Sequence, residues 1–148
     1  VTSLRFDAAK PTDAKRLANL RVKAMQPSLE AVGRFNQERA RRRFLDTFVP
    51  EDTTMVFSGK HLLGFFELRD REDHLYLDHF YIAPEEQGRG IGSMILQWIL
   101  RDAAERDLPV RLMALNGSAA NKFYRLHGFE VTTQEEFDTH YQWVPEPK

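Results

Sequence analysis

Six consecutive residues of this 148-residue chain, Gln87, Gly88, Arg89, Gly90, Ile91 and Gly92, have the make-up of a loop that can hold an anion. Three of them are alternating glycines, which let the backbone turn tightly and come close to a ligand. Before the loop, Leu75 to Ile82 is apolar, aromatic or β-branched apart from Asp78 and His79, and reads as a buried strand that Pro84 stops. After it, the residues to Leu100 read as a long apolar helix. The first N–H groups of that helix have no intrahelical partner, and the helix dipole adds about half a positive charge at the same end. A phosphate suits that position. The spacing excludes two familiar phosphate loops. A Walker loop needs Lys and Ser or Thr after its last glycine, where Ile91 and Gly92 stand, and the dinucleotide fingerprint needs GxGxxG after a first strand.

The elements that must position this loop follow from the apolar pattern. Leu4 to Asp7 is a strand candidate. Thr12 is the expected cap of a helix with Leu17, Leu20 and Ala24 on its apolar side, and Pro27 is expected to interrupt it, leaving a loop or short helix with Met25, Leu29 and Phe35. A second helix carries Ala40, Phe44 and Phe48 at fourfold spacing, with Arg39, Arg41, Arg42 and Arg43 on a solvated face. Thr53 to Phe57 and His61 to Leu68 should pair antiparallel around Ser58 and Gly59, and Arg69 to Asp73 should be a solvated turn into the central strand.

Past the glycines, Ile91, Ile95, Trp98 and Ile99 share one helix face while Leu96, Leu100 and Ala103 cover another. Val110 to Leu115 reads as a strand covered on both faces, parallel to the central strand through the usual crossover. Asn116 to Ser118 is a loop, Ala119 to Leu126 a short helix that Gly128 ends, and Phe129 to Thr132 and Thr139 to Val144 are the last strand candidates. The expected architecture is one α/β domain over residues 1–148, with a mixed sheet that is mostly antiparallel before the glycine loop.

Composition narrows the partners. With 42% hydrophobic residues, 29% charged residues and a net charge of −1, neither disorder nor a polyanionic partner is indicated, and no nucleic acid is expected. Cys is absent, which removes disulfides, thiolate metal sites and a cysteine nucleophile together. No apolar run can span a membrane, no signal-peptide pattern precedes Leu4, and a cytoplasmic protein without membrane partners is expected. His127 and His140 have no partner at ligand spacing, so no metal is expected.

Gln87 to Gly92 match the pattern Q/R, any, any, G, any, G/A of the GNAT superfamily of N-acetyltransferases. Asn116, Asn121, Phe123, Tyr124, Gly128 and Phe129 resemble that family's second signature, at the right distance. The chain resembles the family in element order along its whole length, although Leu4 to Leu68 agrees only in pattern. The resemblance implies the acyl-CoA N-acyltransferase (GNAT) fold, a central mixed, mostly antiparallel sheet with a splayed parallel pair, flanked by helices. It also implies acetyl-CoA as cofactor, with CoA as product. The pyrophosphate would rest on the N–H groups of Gly88, Arg89, Gly90, Ile91, Gly92 and Ser93, with Gln87 opening the motif. The pantetheine arm would lie along the backbone of Phe80, Tyr81 and Ile82, where a bulge splays the strand.

Asn121 looks like the residue that bonds the arm or phosphate, and Phe123 is grouped with it on the cofactor side. Asn116 fits the same role or a turn role equally. Tyr124 matches the tyrosine that in many members donates a proton to the departing thiolate, or packs beside Phe123. Asp78 and His79 stand where the family often places the group that takes the proton from the amine. Successive strand residues face opposite sides, so both serve one site only if a bulge lies between them. Glu67 on the neighbouring strand is a third candidate whose default is a solvated edge position. His79 departs from the second acid of the polyamine-acetylating branch and puts that substrate in doubt.

The implied activity is transfer of an acetyl group to a primary amine by direct attack in a ternary complex, since no Cys can carry an acetyl group. A non-catalytic acetyl-CoA sensor is the alternative. Met25 to Phe35, Tyr141 and Trp143 would choose the acceptor, and the last two also suit a core or a homodimer contact.

Overall fold

The structure is a computed structural model that describes residues 3–147. Seven strands follow one another in the sheet in the order β1-β2-β3-β4-β5-β7-β6. They are β1 (Arg5–Ala8), β2 (Thr53–Ser58), β3 (His61–Asp70), β4 (Leu75–Ile82), β5 (Val110–Leu115), β6 (Glu130–Gln134) and β7 (Asp138–Trp143). The helices are α1 (Ala14–Ala31), α2 (Gln37–Leu45), α3 (Ile91–Glu105) and α4 (Ala120–Leu126). The sheet is open and mixed, with β4 and β5 as its parallel pair, which is the α/β class the sequence implies. The chain forms two compact units, one running to Leu68 with His79–Gly92 added, the other Arg69–Asp78 with the chain from Ser93 on.

In the first unit, β1 pairs antiparallel with β2 from Arg5↔Phe57 to Ala8↔Thr54, and β2 with β3 from Thr53↔Glu67 to Ser58↔His61. Alternation sends Met55, Phe57 and Phe65 into a core with Leu17, Ala18 and Leu20 of α1 and Phe44 of α2. Phe44 is its pivot, with ring centroids 5.2 Å from Phe48, 5.3 Å from Phe65 and 5.2 Å from His79. Asn36, whose side chain accepts from the Arg39 N–H at 2.9 Å, starts α2.

Two expectations fail here. Thr12 lies in a short 3-10 turn, Pro11–Asp13, and it is Asp13, accepting from the Lys10 N–H at 2.8 Å, that opens the helical segment. Pro27 does not interrupt α1, which runs through it to Ala31. A proline inside a helix removes one backbone hydrogen bond. The turn beyond it is closed by N–H bonds from Gly33 to Glu30 and from Arg34 to Leu29, at 3.0 and 2.8 Å, so the helix ends with its carbonyls satisfied rather than at the proline.

In the second unit, β4 and β5 form a parallel ladder through Leu75↔Val110 and Tyr76↔Arg111. β7 pairs antiparallel with β5 along its full length, from Val110↔Trp143 to Leu115↔Asp138, and β6 lies outside β7. Ile95, Leu96, Ile99 and Ala103 are the wholly buried residues of α3. Trp98, expected with them, is 42% exposed, because the stripe through Ile95, Ile99 and Ala103 already fills the inward face. β5 is not covered on both faces: Val110, Leu112 and Ala114 are buried and Arg111 is exposed, so Arg111, not the apolar run, reports its environment. Gly128 ends α4 in the left-handed conformation the sequence suggests, at φ +90°.

Candidate active site

The glycine loop is built outward from the end of β4. The Ala83 N–H donates to the Leu63 carbonyl at 2.8 Å, a 3-10 turn spans Pro84–Glu86, and the Gln87 side chain returns to the Ile82 carbonyl at 3.0 Å. Gln87 therefore ties the loop to the strand end. Gly88 and Gly90 follow at φ +80° and +78°, in the left-handed region that side chains avoid, and α3 starts at Ile91. A Cβ at either glycine would meet nothing within 4 Å. The backbone there is open to an incoming group, which is the room a pyrophosphate needs in front of helix N–H groups. Gly92 and Ser93 continue α3 from Ile91, and these residues fit the cofactor that the motif implies.

Beside the loop stands a residue the motif does not mention. Glu86 is 8% exposed, and its two carboxylate oxygens bind the Arg89 guanidinium at 2.7 Å and the His61 ring Nε2 at 2.8 Å. Arg89 is thus held from below by a buried acid while its own side chain stays 58% exposed. The sequence gives little sign of this, since Glu85 and Glu86 look alike until the fold buries one of them.

On β4, Phe80, Tyr81 and Ile82 lead into the loop and are each partly buried. Gly64 of β3 runs close beside them, and a Cβ there would lie 2.3 Å from the Tyr81 carbonyl oxygen. His79 is 5% exposed, with Nδ1 2.9 Å from the Tyr81 hydroxyl, two residues on along the strand. That hydroxyl also accepts from Arg21 Nε at 2.9 Å, and Arg21 Nη1 donates to the Ala40 carbonyl at 2.6 Å. Glu67 is not at a solvated edge: it is fully buried, with a carboxylate oxygen within 4.8 Å of a ring nitrogen of His79. Its place opposite Thr53 in β3, an interior strand of the sheet, outweighs its charge. Arg21 was legible as a charge on the apolar stripe of Leu17, Ala18 and Val22, and its role was not.

In the second unit, Asp78 accepts from Arg69 Nε at 2.9 Å. Arg69 belongs to no solvated turn, because β3 extends to Asp70 and leaves its side chain 7% exposed. Tyr124 is 8% exposed on α4, its ring centroid 5.4 Å from Phe123, 5.5 Å from Phe129 and 6.3 Å from Tyr141. Phe123 lies 4.7 Å from the His127 ring. Asn121 donates to the Leu115 carbonyl at 2.8 Å and accepts from the Tyr141 hydroxyl at 2.8 Å, which also takes a bond from Arg125 at 3.1 Å. Asn116 holds the carbonyls of Glu135 and Glu136 at 2.9 and 3.1 Å and accepts from Thr139. Both asparagines thus carry structural bonds, and Tyr141 is a core residue at 1% exposure.

The fold recurs among acetyltransferases. The PaiA N-acetyltransferase of Thermoplasma acidophilum, solved in complex with coenzyme A, superposes with a TM-score of 0.81 at 18% identity, over 96% of this chain and 99% of that one. An acetyltransferase of Thermus thermophilus gives 0.77 at 18% identity over 97% and 98%. The ribosomal-protein-S18-alanine N-acetyltransferase of Escherichia coli gives 0.74 at 14% identity over 99% and 97%. No curated protein matches the chain in sequence. Residues 23–146 match the family model described as the acetyltransferase (GNAT) domain, and the chain belongs to that family, whose members take their acetyl group from acetyl-CoA.

Proposed function

We propose that this protein is an N-acetyltransferase that passes an acetyl group from acetyl-CoA directly to a primary amine of a small molecule, peptide or protein. The observation that carries the reading is the loop from Gln87 to Gly92, left-handed at both Gly88 and Gly90, open where a Cβ would project and continuous with the start of α3. Bound acetyl-CoA would supply the thioester. The N–H groups of Gly88 to Ser93 would hold its pyrophosphate, Gln87 would keep the loop against Ile82, and the backbone of Phe80, Tyr81 and Ile82 would receive the pantetheine amides. Phe123 and Asn121 belong to this cofactor side, and Asn116 fixes the loop at Glu135 and Glu136.

Two proton movements remain. The amine must lose a proton to become nucleophilic, and the sulfur must gain one as it leaves. Tyr124 is the proposed acid, a phenol whose reference pKa of about 10 suits donation to a thiolate held beside it. Asp78, His79 and Glu67 are the protein groups proposed to serve removal of the first proton, directly or through water. The absence of Cys fits transfer without a covalent acetyl-protein stage.

Thiol release from acetyl-CoA with a panel of amines tests this reading. Turnover with at least one amine is expected, and Tyr124→Phe should lower kcat about a hundredfold while leaving acetyl-CoA binding near that of the unaltered protein. Undiminished turnover in Tyr124→Phe would remove that residue from the mechanism. Tight acetyl-CoA binding with no turnover on any amine would make the protein a sensor instead.

A further inference from the structure

The first unit holds a line of polar side chains, Arg21 and Tyr81, that ends on His79. Arg21, on the apolar stripe of α1, is 6% exposed, and none of its described partners is a carboxylate. Its guanidinium meets the Tyr81 hydroxyl, the Ala40 carbonyl and, at 5.7 Å, the face of the Tyr81 ring. Burying a cation in this way is costly, and the hydrogen bonds it makes are what offset the cost. The bond of interest is the one to Tyr81, since the next member of the line is His79 Nδ1, 2.9 Å beyond the same oxygen.

The donor and acceptor roles along this line follow from chemistry. Arg21 carries only donors and never loses its charge in a protein. The Tyr81 oxygen accepts from it, and the phenol proton has the His79 Nδ1, 2.9 Å away, within reach as an acceptor. A neutral imidazole that accepts at one nitrogen carries its hydrogen on the other. A second possibility is a doubly protonated His79 whose charge is balanced by the buried Glu67 carboxylate, of which one oxygen is within 4.8 Å of a ring nitrogen. It leads to the same place, for the imidazolium also has a hydrogen on Nε2. Phe44 fixes the ring itself, edge-on at 5.2 Å and 78°.

We infer that Arg21 and Tyr81 are positioning residues that hold His79 with its Nε2 protonated, so that His79 works as an N–H donor and is not the group that takes the proton from the amine. Proton removal then falls to another group or to water. The inference narrows the reading given under Proposed function and rests on it for its kinetic consequence, although the protonation state of the ring stands on the hydrogen bonds alone.

Long-range nitrogen–proton NMR spectra of the histidine rings in the unaltered protein decide the first half. The expected result is a protonated Nε2 on His79, with Tyr81→Phe shifting both ring nitrogens as Nδ1 loses its donor. A bare Nε2 with the hydrogen on Nδ1 would overturn the inference. Kinetics decide the second half, because glutamine keeps an N–H donor near the position of Nε2 and cannot act as a base. His79→Gln is expected to retain kcat within about tenfold and His79→Leu to fall well below it, whereas loss of a true general base would cost both variants about a hundredfold or more. Equal losses of that size in the two variants overturn the assignment. If the unaltered protein turns over no amine, the acetyltransferase reading fails by itself, and the ring spectrum still decides the state of His79.

Discussion

At the scale of single residues, the informative positions are the charges that the fold buries. Sequence pattern treats an arginine or glutamate as solvated by default, since charged side chains are almost never fully buried without partners. Arg69 and Glu67 depart from that default, and one partner of Arg69, Asp78, lies nine residues away across the β3–β4 hairpin, where no local pattern reveals it. Tyr124 was singled out on a different ground, its place in a motif whose spacing is fixed by the family, and not on its surroundings. The Arg69 contact also gives Asp78 a structural duty that must be separated from any part in proton transfer. Removing a charged acceptor from a buried guanidinium takes away part of what offsets its desolvation. Asp78→Ala should therefore lower unfolding stability by about 1.5–3 kcal/mol, read from urea denaturation, and Asp78→Asn should lose less because its amide oxygen still accepts from Arg69. If Asp78→Ala denatures like the unaltered protein, the ion pair contributes little and any loss of activity in that variant is chemical.

At the scale of elements, the strands around the loop were legible because their period and their turn residues agree, and the failures came where two signals conflicted. Pro27 spoke against a helix that packing and a well-closed C-terminus nonetheless complete. The apolar run of β5 spoke for burial on both faces, where the single Arg111 already marked the exposed one. Glycines show the same division between local and tertiary causes. At Gly90 the requirement is conformational, a φ of +78° with open space around it, whereas at Gly64 the requirement is room, the Tyr81 carbonyl lying 2.3 Å from where a Cβ would be. The two alanine variants should therefore differ in kind. Gly64→Ala forces β3 and β4 to shift and should destabilise by about 1–3 kcal/mol, as overpacking does. Gly90→Ala meets no neighbour, should cost about 1–2 kcal/mol for the left-handed backbone, and should weaken acetyl-CoA binding as well. Denaturation and cofactor titration of both variants check this, and a Gly90→Ala protein with unaltered affinity would detach the loop from the cofactor.

At the scale of the whole molecule, what the chain shares with its family is a frame and a loop, at identities of 18% and below among the solved structures described above. So distant a likeness carries the fold and leaves the acceptor open, because the residues that would choose an amine lie outside both motifs. Two of the arginines of α2 have side-chain partners, Arg42 with Glu38 and Arg41 with Asn19, in a chain whose net charge is −1. A CoA-binding protein and one that binds RNA through its arginine helix predict different linkage. A ligand that binds only the folded state stabilises it by RT ln(1 + [L]/Kd), about 2.7 kcal/mol at a hundred times Kd and about 1.4 kcal/mol more for each further decade. Acetyl-CoA and CoA should each raise the midpoint of thermal unfolding in this logarithmic way, since both carry the pyrophosphate that the Gly88–Gly92 loop is open to receive. A single-stranded RNA should leave the midpoint unmoved at low salt, where any electrostatic binding would be strongest. A flat response to acetyl-CoA across concentrations up to millimolar would sink the cofactor assignment, and an RNA-induced shift that vanished with added salt would return the arginine helix to consideration.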